Sequence, residues 1–141
     1  SSFFRLASCA DCPGGQYQPS TGTTGCSTCS STYYCPEGAN AMSGCPSGFY
    51  CAAGVATYTG CASGKYSAAL ASACVPCSVG KYASASGLNA CADCGAGQFA
   101  GATGAAACSD CPAGSYCPAG ASATSSCAAG TYSAVSSNSF T

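Results

Sequence analysis

Residues 74–94 read CVPCSVGKYASASGLNACADC, and this stretch contains the pattern that decides the fold. A unit begins at Cys77, with Gly80 three positions later and Tyr82 two positions after that; the next unit begins at Cys94. The glycine permits a turn with positive φ directly after the cysteine. The aromatic residue favours a short extended segment. We therefore predict a turn followed by a short strand.

The same C-x-x-G-x-[Tyr/Phe] unit occurs eight times along the chain, at steps of 16 or 17 residues. The first cysteine of each unit, called its anchor, is Cys12, Cys29, Cys45, Cys61, Cys77, Cys94, Cys111 or Cys127, and the repeats are numbered 1 to 8 in this order. The aromatic position is filled in every repeat, whereas Thr32 replaces the glycine in repeat 2. Units this short cannot fold alone, so we expect neighbouring repeats to stack.

The composition leaves little material for an ordinary core. The 141 residues include 16 Cys but only 13 Val, Leu, Met or Phe, and no Ile or Trp. Burying thirteen such side chains at about 1.5–3 kcal/mol each does not offset the entropy of ordering the backbone. We expect disulfides to replace that core, which predicts an oxidising, extracellular environment.

Several function classes are excluded by residues that the chain lacks. Without histidine it has no Ser-His-Asp triad and no imidazole ligand for a metal. The cations Arg5, Lys65 and Lys81 are too few to neutralise a nucleic-acid backbone. No apolar run approaches the roughly 18 residues of a membrane span. We predict a protein that is not an enzyme, needs no cofactor or metal, and neither binds nucleic acid nor inserts into membranes.

The second cysteine of each repeat divides the repeats into two types. In the long type it lies 13 or 14 residues after the anchor, and we predict bridges within these repeats: Cys12–Cys26, Cys61–Cys74, Cys77–Cys91 and Cys94–Cys108. In the short type it lies six residues after the anchor, and the cysteines concerned are Cys29, Cys35, Cys45, Cys51, Cys111 and Cys117. Spacing alone does not fix their pairing, so bridges within a repeat and ladders between repeats both stay open.

Two cysteines, Cys9 and Cys127, remain outside these pairs. Cys9 lies three residues before an anchor, where a long repeat ends, so its own anchor falls before Ser1. Cys127 opens repeat 8, whose second cysteine is expected near Phe140. We interpret the two cysteines as partners of residues outside this stretch or as sites of bridges between subunits.

The repeats resemble a known group of extracellular modules. The runs CADCPGGQYQPSTGTTGCSTC, CVPCSVGKYASASGLNACADC and CPAGSYCPAG are similar to the cysteine-rich repeats named after ephrin receptors, within the wider growth-factor-receptor cysteine-rich class. The long repeat also resembles the first disulfide module of tumour-necrosis-factor-receptor ectodomains. The resemblance covers roughly residues 8–133. It implies extended extracellular stalks, coats or flagellar hairs, as in surface proteins of algae and protists, and it implies no catalytic residues.

Three side-chain patterns allow more than one interpretation. The C-x2-C pairs have the spacing of zinc ligands, but the short repeats break that pattern, so disulfides are favoured. Asp11, Asp93 and Asp110 each precede an anchor, where they are expected to cap nearby backbone N–H groups rather than bind calcium. The tyrosines are expected to form the core against the disulfides rather than an exposed binding stripe.

Together these patterns predict a small, disulfide-rich, mostly irregular fold with short β-strands and hairpins. Eight stacked repeats over residues 9–133 would form an elongated rod, with joints at 1–8 and 134–141. We predict a structural subunit of an extracellular filament or coat, specifically an algal or protist flagellar hair built from head-to-tail homo-oligomers. The alternative is a receptor or adhesin ectodomain. The 24 Ser and 11 Thr are candidate sites for O-linked glycans.

Overall fold

The named strands of the described structure all form short antiparallel hairpins. A computed structural model describes residues 8–134; it contains no helix there and forms seven two-stranded sheets. The first strand of each hairpin ends at the repeat aromatic, and the second ends directly before the next anchor. The hairpins are β1 (Gln16–Tyr17) with β2 (Ser27–Thr28), β3 (Tyr33–Tyr34) with β4 (Ser43–Gly44), β5 (Phe49–Tyr50) with β6 (Thr59–Gly60), β7 (Lys65–Tyr66) with β8 (Val75–Pro76), β9 (Lys81–Tyr82) with β10 (Ala92–Asp93), β11 (Gln98–Phe99) with β12 (Ser109–Asp110), and β13 (Ser115–Tyr116) with β14 (Ser125–Ser126).

The predicted turn occurs in all eight repeats, and in repeats 1 to 7 it precedes the first strand. In repeat 5 the amide of Lys81 donates to the carbonyl of Ser78 at 3.1 Å, and the equivalent bond closes the other turns. The turn glycines have φ between +79° and +90°, and Thr32 takes the same conformation at +76°. The disulfide-rich hairpin fold predicted from the sequence is therefore confirmed. The rod shape stays a prediction, and residues 1–7 and 135–141 of the two predicted joints lie outside the described residues.

The core is a line of half-cystines rather than of tyrosines. Anchors 2 to 7 are 0–1% exposed, and the residue directly after the aromatic is buried in repeats 2 to 7. The repeat tyrosines are only half-buried, and Tyr132 is 76% exposed. The prediction that the tyrosines form the core is wrong, because two-residue strands are too short to enclose a ring between layers.

Each repeat is joined to the next by four backbone hydrogen bonds. Between repeats 4 and 5 the bonds run from Gly64 N to Ala83 O at 2.8 Å, from Ser67 N to Leu88 O at 3.3 Å, from Cys77 N to Gly64 O at 2.9 Å and from Gly87 N to Cys61 O at 2.8 Å. The same four bonds recur at all six junctions from repeat 1 to repeat 7. Since they use only backbone groups, the junction does not depend on which side chains a repeat carries.

The turn glycine also meets the repeat after next. A Cβ built on Gly80 would lie 2.4 Å from the carbonyl oxygen of Gly120, and one on Gly64 would lie 2.3 Å from that of Gly104. The partner glycine lies in a second turn of positive φ, nine or ten residues after its own anchor. In these repeats glycine is therefore required for space as well as for conformation, whereas Gly114 occupies the same turn of repeat 7 with no atom within 4 Å.

The two non-glycine residues with positive φ depart from this pattern together. Thr32 occupies the first turn of repeat 2, and Leu70, at φ +59°, occupies the second turn of repeat 4. The repeat register places these two turns opposite each other. Room for the leucine comes from Gly44, where a Cβ would lie 2.9 Å from Leu70 Cδ2. Gly44 thus accommodates the Leu70 side chain, and the junction bond from Leu70 N to Cys45 O keeps its usual length of 2.8 Å.

Three glycine-to-alanine variants separate conformational strain from close approach. Gly95→Ala, which meets no atom within 4 Å and lacks positive φ, is expected to leave the free energy of unfolding unchanged. Gly114→Ala, at φ +82° in open space, should cost about 1 kcal/mol. Gly80→Ala adds the clash with Gly120 and should cost about 2–4 kcal/mol. Denaturant unfolding of the oxidised proteins measures all three; equal losses for Gly80→Ala and Gly114→Ala would contradict the close approach.

A double-mutant cycle tests whether Gly44 must stay small because of the Leu70 side chain. Leu70→Gly should stabilise the protein by about 1 kcal/mol, because it removes a side chain from a left-handed turn. Gly44→Ala should cost about 1 kcal/mol in the parent and nothing in the Leu70→Gly background. Gly60→Ala is the control, because its added Cβ meets Phe49 only at an ordinary 3.5 Å. The same loss from Gly44→Ala in both backgrounds would show that Leu70 is not its obstacle.

Candidate functional site: the disulfide ladder

The long repeats close their hairpins with a bridge at the base. The structure joins Cys12 to Cys26, Cys61 to Cys74, Cys77 to Cys91 and Cys94 to Cys108, with Cα separations of 5.7–5.9 Å. The second cysteine directly precedes the returning strand in each case, so the bridge fixes where that strand begins. These are the four pairs that the spacing predicted. By chain entropy, a loop of this size contributes about 3 kcal/mol.

The short repeats close a smaller ring around the turn and the aromatic. Their bridges are Cys29–Cys35, Cys45–Cys51 and Cys111–Cys117, each spanning six residues. The structure thus places these bridges within repeats, the pairing that the sequence left open. All six cysteines are 0–1% exposed. Within residues 8–134 no disulfide joins one repeat to another.

The two types of repeat place their second cysteine at different positions, and each type fills the other position with a different residue. Where short repeats bury a cysteine after the aromatic, long repeats 4, 5 and 6 bury Ser67, Ala83 and Ala100. The Ser67 hydroxyl donates to the carbonyl oxygen of Phe49 at 2.8 Å, which satisfies it inside the core. Conversely, where long repeats place their second cysteine, short repeat 3 places Tyr58.

Tyr58 is the central ring of a cluster of three aromatic side chains. Its ring packs edge-on against Phe49 of its own repeat at 4.8 Å and against Tyr34 of repeat 2 at 5.2 Å, measured between centroids. Tyr58 lies outside the repeated aromatic position, and this cluster was not predicted from the sequence. Its position, 13 residues after an anchor, was the signal that it replaces a half-cystine.

The aspartates preceding the anchors act as cross-strand partners, which corrects the expectation of backbone caps for two of them. Asp93 accepts a hydrogen bond from Lys81 Nζ at 2.6 Å, and Asp110 accepts one from Gln98 at 3.0 Å. Both pairs lie directly opposite in their hairpins. Asp11 lies near Gly38. Among residues 8–134 no three acidic, cysteine or histidine side chains gather as a metal site.

Two cysteines carry free thiols. Cys9 is exposed and Cys127 is half-buried, and the other fourteen cysteines are committed to bridges. Cys9 occupies the place of a second cysteine in a long repeat, and Cys127 occupies that of an anchor. By their positions in the repeat, the two thiols therefore correspond to the two half-cystines of a long repeat.

These features define an array of cysteine-rich, disulfide-stabilised repeats of the extracellular type. Residues 64–111, about a third of the chain, match the family described as tyrosine-protein kinase ephrin type A/B receptor-like. The match starts in repeat 4 and ends at the anchor of repeat 7, and it confirms the resemblance seen in the sequence. No curated protein matches the chain significantly. In the part of the chain that the structure describes, no helix has the length and apolarity to cross a membrane.

The burial of the sulfur atoms predicts a two-stage reduction. The long bridges each contain one half-buried cysteine, namely Cys26, Cys74, Cys91 or Cys108, whereas both cysteines of every short bridge are buried. A reductant must reach a sulfur atom to attack it. We expect mild phosphine treatment to open the four long bridges at least about tenfold faster, measured by alkylation and peptide mapping. Loss of all seven bridges in one step would contradict this order.

Proposed function

We propose that the chain is a non-enzymatic structural subunit of an extracellular filament or coat, and specifically of an algal or protist flagellar hair. The observation that supports this most strongly is the backbone junction, which repeats with the same four hydrogen bonds at six successive interfaces. A surface that matches its neighbour by repetition also matches the equivalent surface of another chain. Such a head-to-tail contact is heterologous and extends into a filament unless it closes into a ring.

The free thiols supply a covalent form of the same contact. Cys127 of one chain and Cys9 of the next would complete a long-type bridge between subunits. The low charge of the chain, 5% of residues, suits faces that are covered in an assembly rather than dispersed in water.

Assembly through these thiols is tested by mixing two variants. Cys9→Ser keeps only Cys127 free, and Cys127→Ser keeps only Cys9. Each variant alone should give no head-to-tail product, while the mixture should give a disulfide-linked dimer and the unmodified chain should give a polymer insensitive to ionic strength. Non-reducing electrophoresis and light scattering after chromatography measure these products.

The alternative role, a receptor or adhesin ectodomain, predicts a different result. That protein should elute as a monodisperse monomer, and it should do so with or without the two thiols. The same outcome, or equal dimer formation by each variant alone and by the mixture, would overturn the proposed assembly.

A further inference from the structure

Two equivalent depressions lie between successive hairpins in the middle of the array. The first, of about 290 Å³, is lined by Tyr50 of repeat 3 and by Lys65 and Cys74 of repeat 4. The second, of about 210 Å³, is lined by Tyr66 of repeat 4 and by Lys81 and Cys91 of repeat 5. Each therefore combines the aromatic residue of one repeat with the lysine and the long-type bridge of the next. One repeat step relates them.

The positive charge of residues 8–134 is confined to these depressions. That part of the chain contains two lysines, Lys65 and Lys81, and no arginine. Both lysines occupy the position directly before the repeat aromatic. Adjacent strand residues point to opposite faces, so the hairpin β7–β8 presents Lys65 to one depression and Tyr66 to the other. Two consecutive sites thus share a single hairpin.

The two lysines differ in how far their charge is neutralised. Lys81 lies opposite Asp93 and forms an ion pair with it at 2.6 Å. Lys65 lies opposite Pro76, which carries no charge. The depression at Lys65 is therefore the more attractive of the two for an anion, and it is also the larger.

The remaining residues that line the depressions have small side chains, so they do not cover the tyrosine ring or the cysteine. Ala62 and Ala73 line the first depression, and Ser78 and Ala90 line the second. Sites for drug-sized ligands enclose about 300–1,000 Å³, so each depression accommodates one ring of a larger molecule. A half-exposed tyrosine offers an apolar face and a hydroxyl to such a ring.

We propose that these depressions bind successive residues of an acidic polysaccharide, with a sugar ring against Tyr50 or Tyr66 and its carboxylate or sulfate at Lys65 or Lys81. A polymer fits better than a single sugar, because two weak sites one repeat apart gain affinity only when one molecule occupies both. This inference goes beyond the assembly role and does not depend on it. It gives the array an extracellular matrix partner.

The chain supplies its own matched variants for the test. Glutamine already occupies the lysine position in repeats 1 and 6, as Gln16 and Gln98, so Lys65→Gln and Lys81→Gln are compatible with the fold. Lys65→Arg retains the charge. With polygalacturonate as the probe, Lys65→Gln should weaken binding about threefold to fivefold, the double variant about tenfold, and Lys65→Arg hardly at all. Asp93→Asn should strengthen binding, because it frees Lys81.

The rate at which individual disulfides are reduced supplies a second measurement on the unmodified protein. Cys74 and Cys91 line the depressions, whereas Cys108 belongs to repeat 6, whose corresponding position is Gln98. Bound polygalacturonate should slow the reduction of Cys61–Cys74 and Cys77–Cys91 several-fold and leave Cys94–Cys108 unchanged. Uniform protection of all three would contradict the assigned location.

Other probes distinguish the chemistry of the ligand. A sulfated galactan that binds more tightly than polygalacturonate would assign the anion as sulfate, and the reverse order would assign it as carboxylate; either result supports the proposal. Dextran, which is neutral, should not bind. Equal binding of dextran, equal binding of polyglutamate with the same lysine dependence, or no binding of either acidic polysaccharide would overturn the proposal.

Discussion

The close approach of backbone to backbone at the turn glycine is the constraint on which the rest of the structure depends. At Gly15 an added Cβ would lie 2.2 Å from the carbonyl oxygen of Gly54, two repeats away. The first turns that make this contact, at Gly15, Gly48, Gly64 and Gly80, therefore combine a positive φ with the absence of a side chain. Each of these turns bonds the next repeat and touches the one after, so it links three successive repeats. Local turn geometry is in this way coupled to the packing of the whole array.

Disulfides provide what the missing aliphatic side chains would otherwise provide. The anchor sulfur is buried in both repeat types, and only the location of its partner changes. In long repeats the partner lies before the returning strand, and Ser67, Ala83 or Ala100 fills the vacated place after the aromatic. In short repeat 3 the partner lies after the aromatic, and Tyr58 fills the other place. Two solutions to the same packing problem thus occur along one scaffold.

The fold class could be predicted from the sequence because the same pattern of Cys, Gly and aromatic residues occurs in the chain repeatedly, with glycine replaced only at Thr32. Positive-φ turns, short strands and the long-type pairs all follow from the spacing of Cys, Gly and Tyr. The short-type pairing did not follow, because a separation of six residues permits bridges within and between repeats. The half-buried state of the tyrosines and the opposition of Thr32 and Leu70 depend on contacts across three repeats. The sequence of a single repeat does not reveal such contacts.

The backbone junction also separates what the fold requires from what the surface can vary. The position before the aromatic is filled by Gln16, Tyr33, Phe49, Lys65, Lys81, Gln98 and Ser115 in successive repeats, yet the hydrogen bonds around it are the same. Stability therefore places little restriction on this position, whereas it fixes the glycine and the anchor. Lysine occurs here in two adjacent repeats, next to the two depressions that are lined by a half-buried cysteine and a tyrosine. Lys81 pairs with Asp93 across its hairpin, so the fold accounts for that cation, whereas Lys65 faces Pro76 and has no charged partner across its hairpin. The proposed ligand is therefore needed to explain Lys65 rather than both lysines.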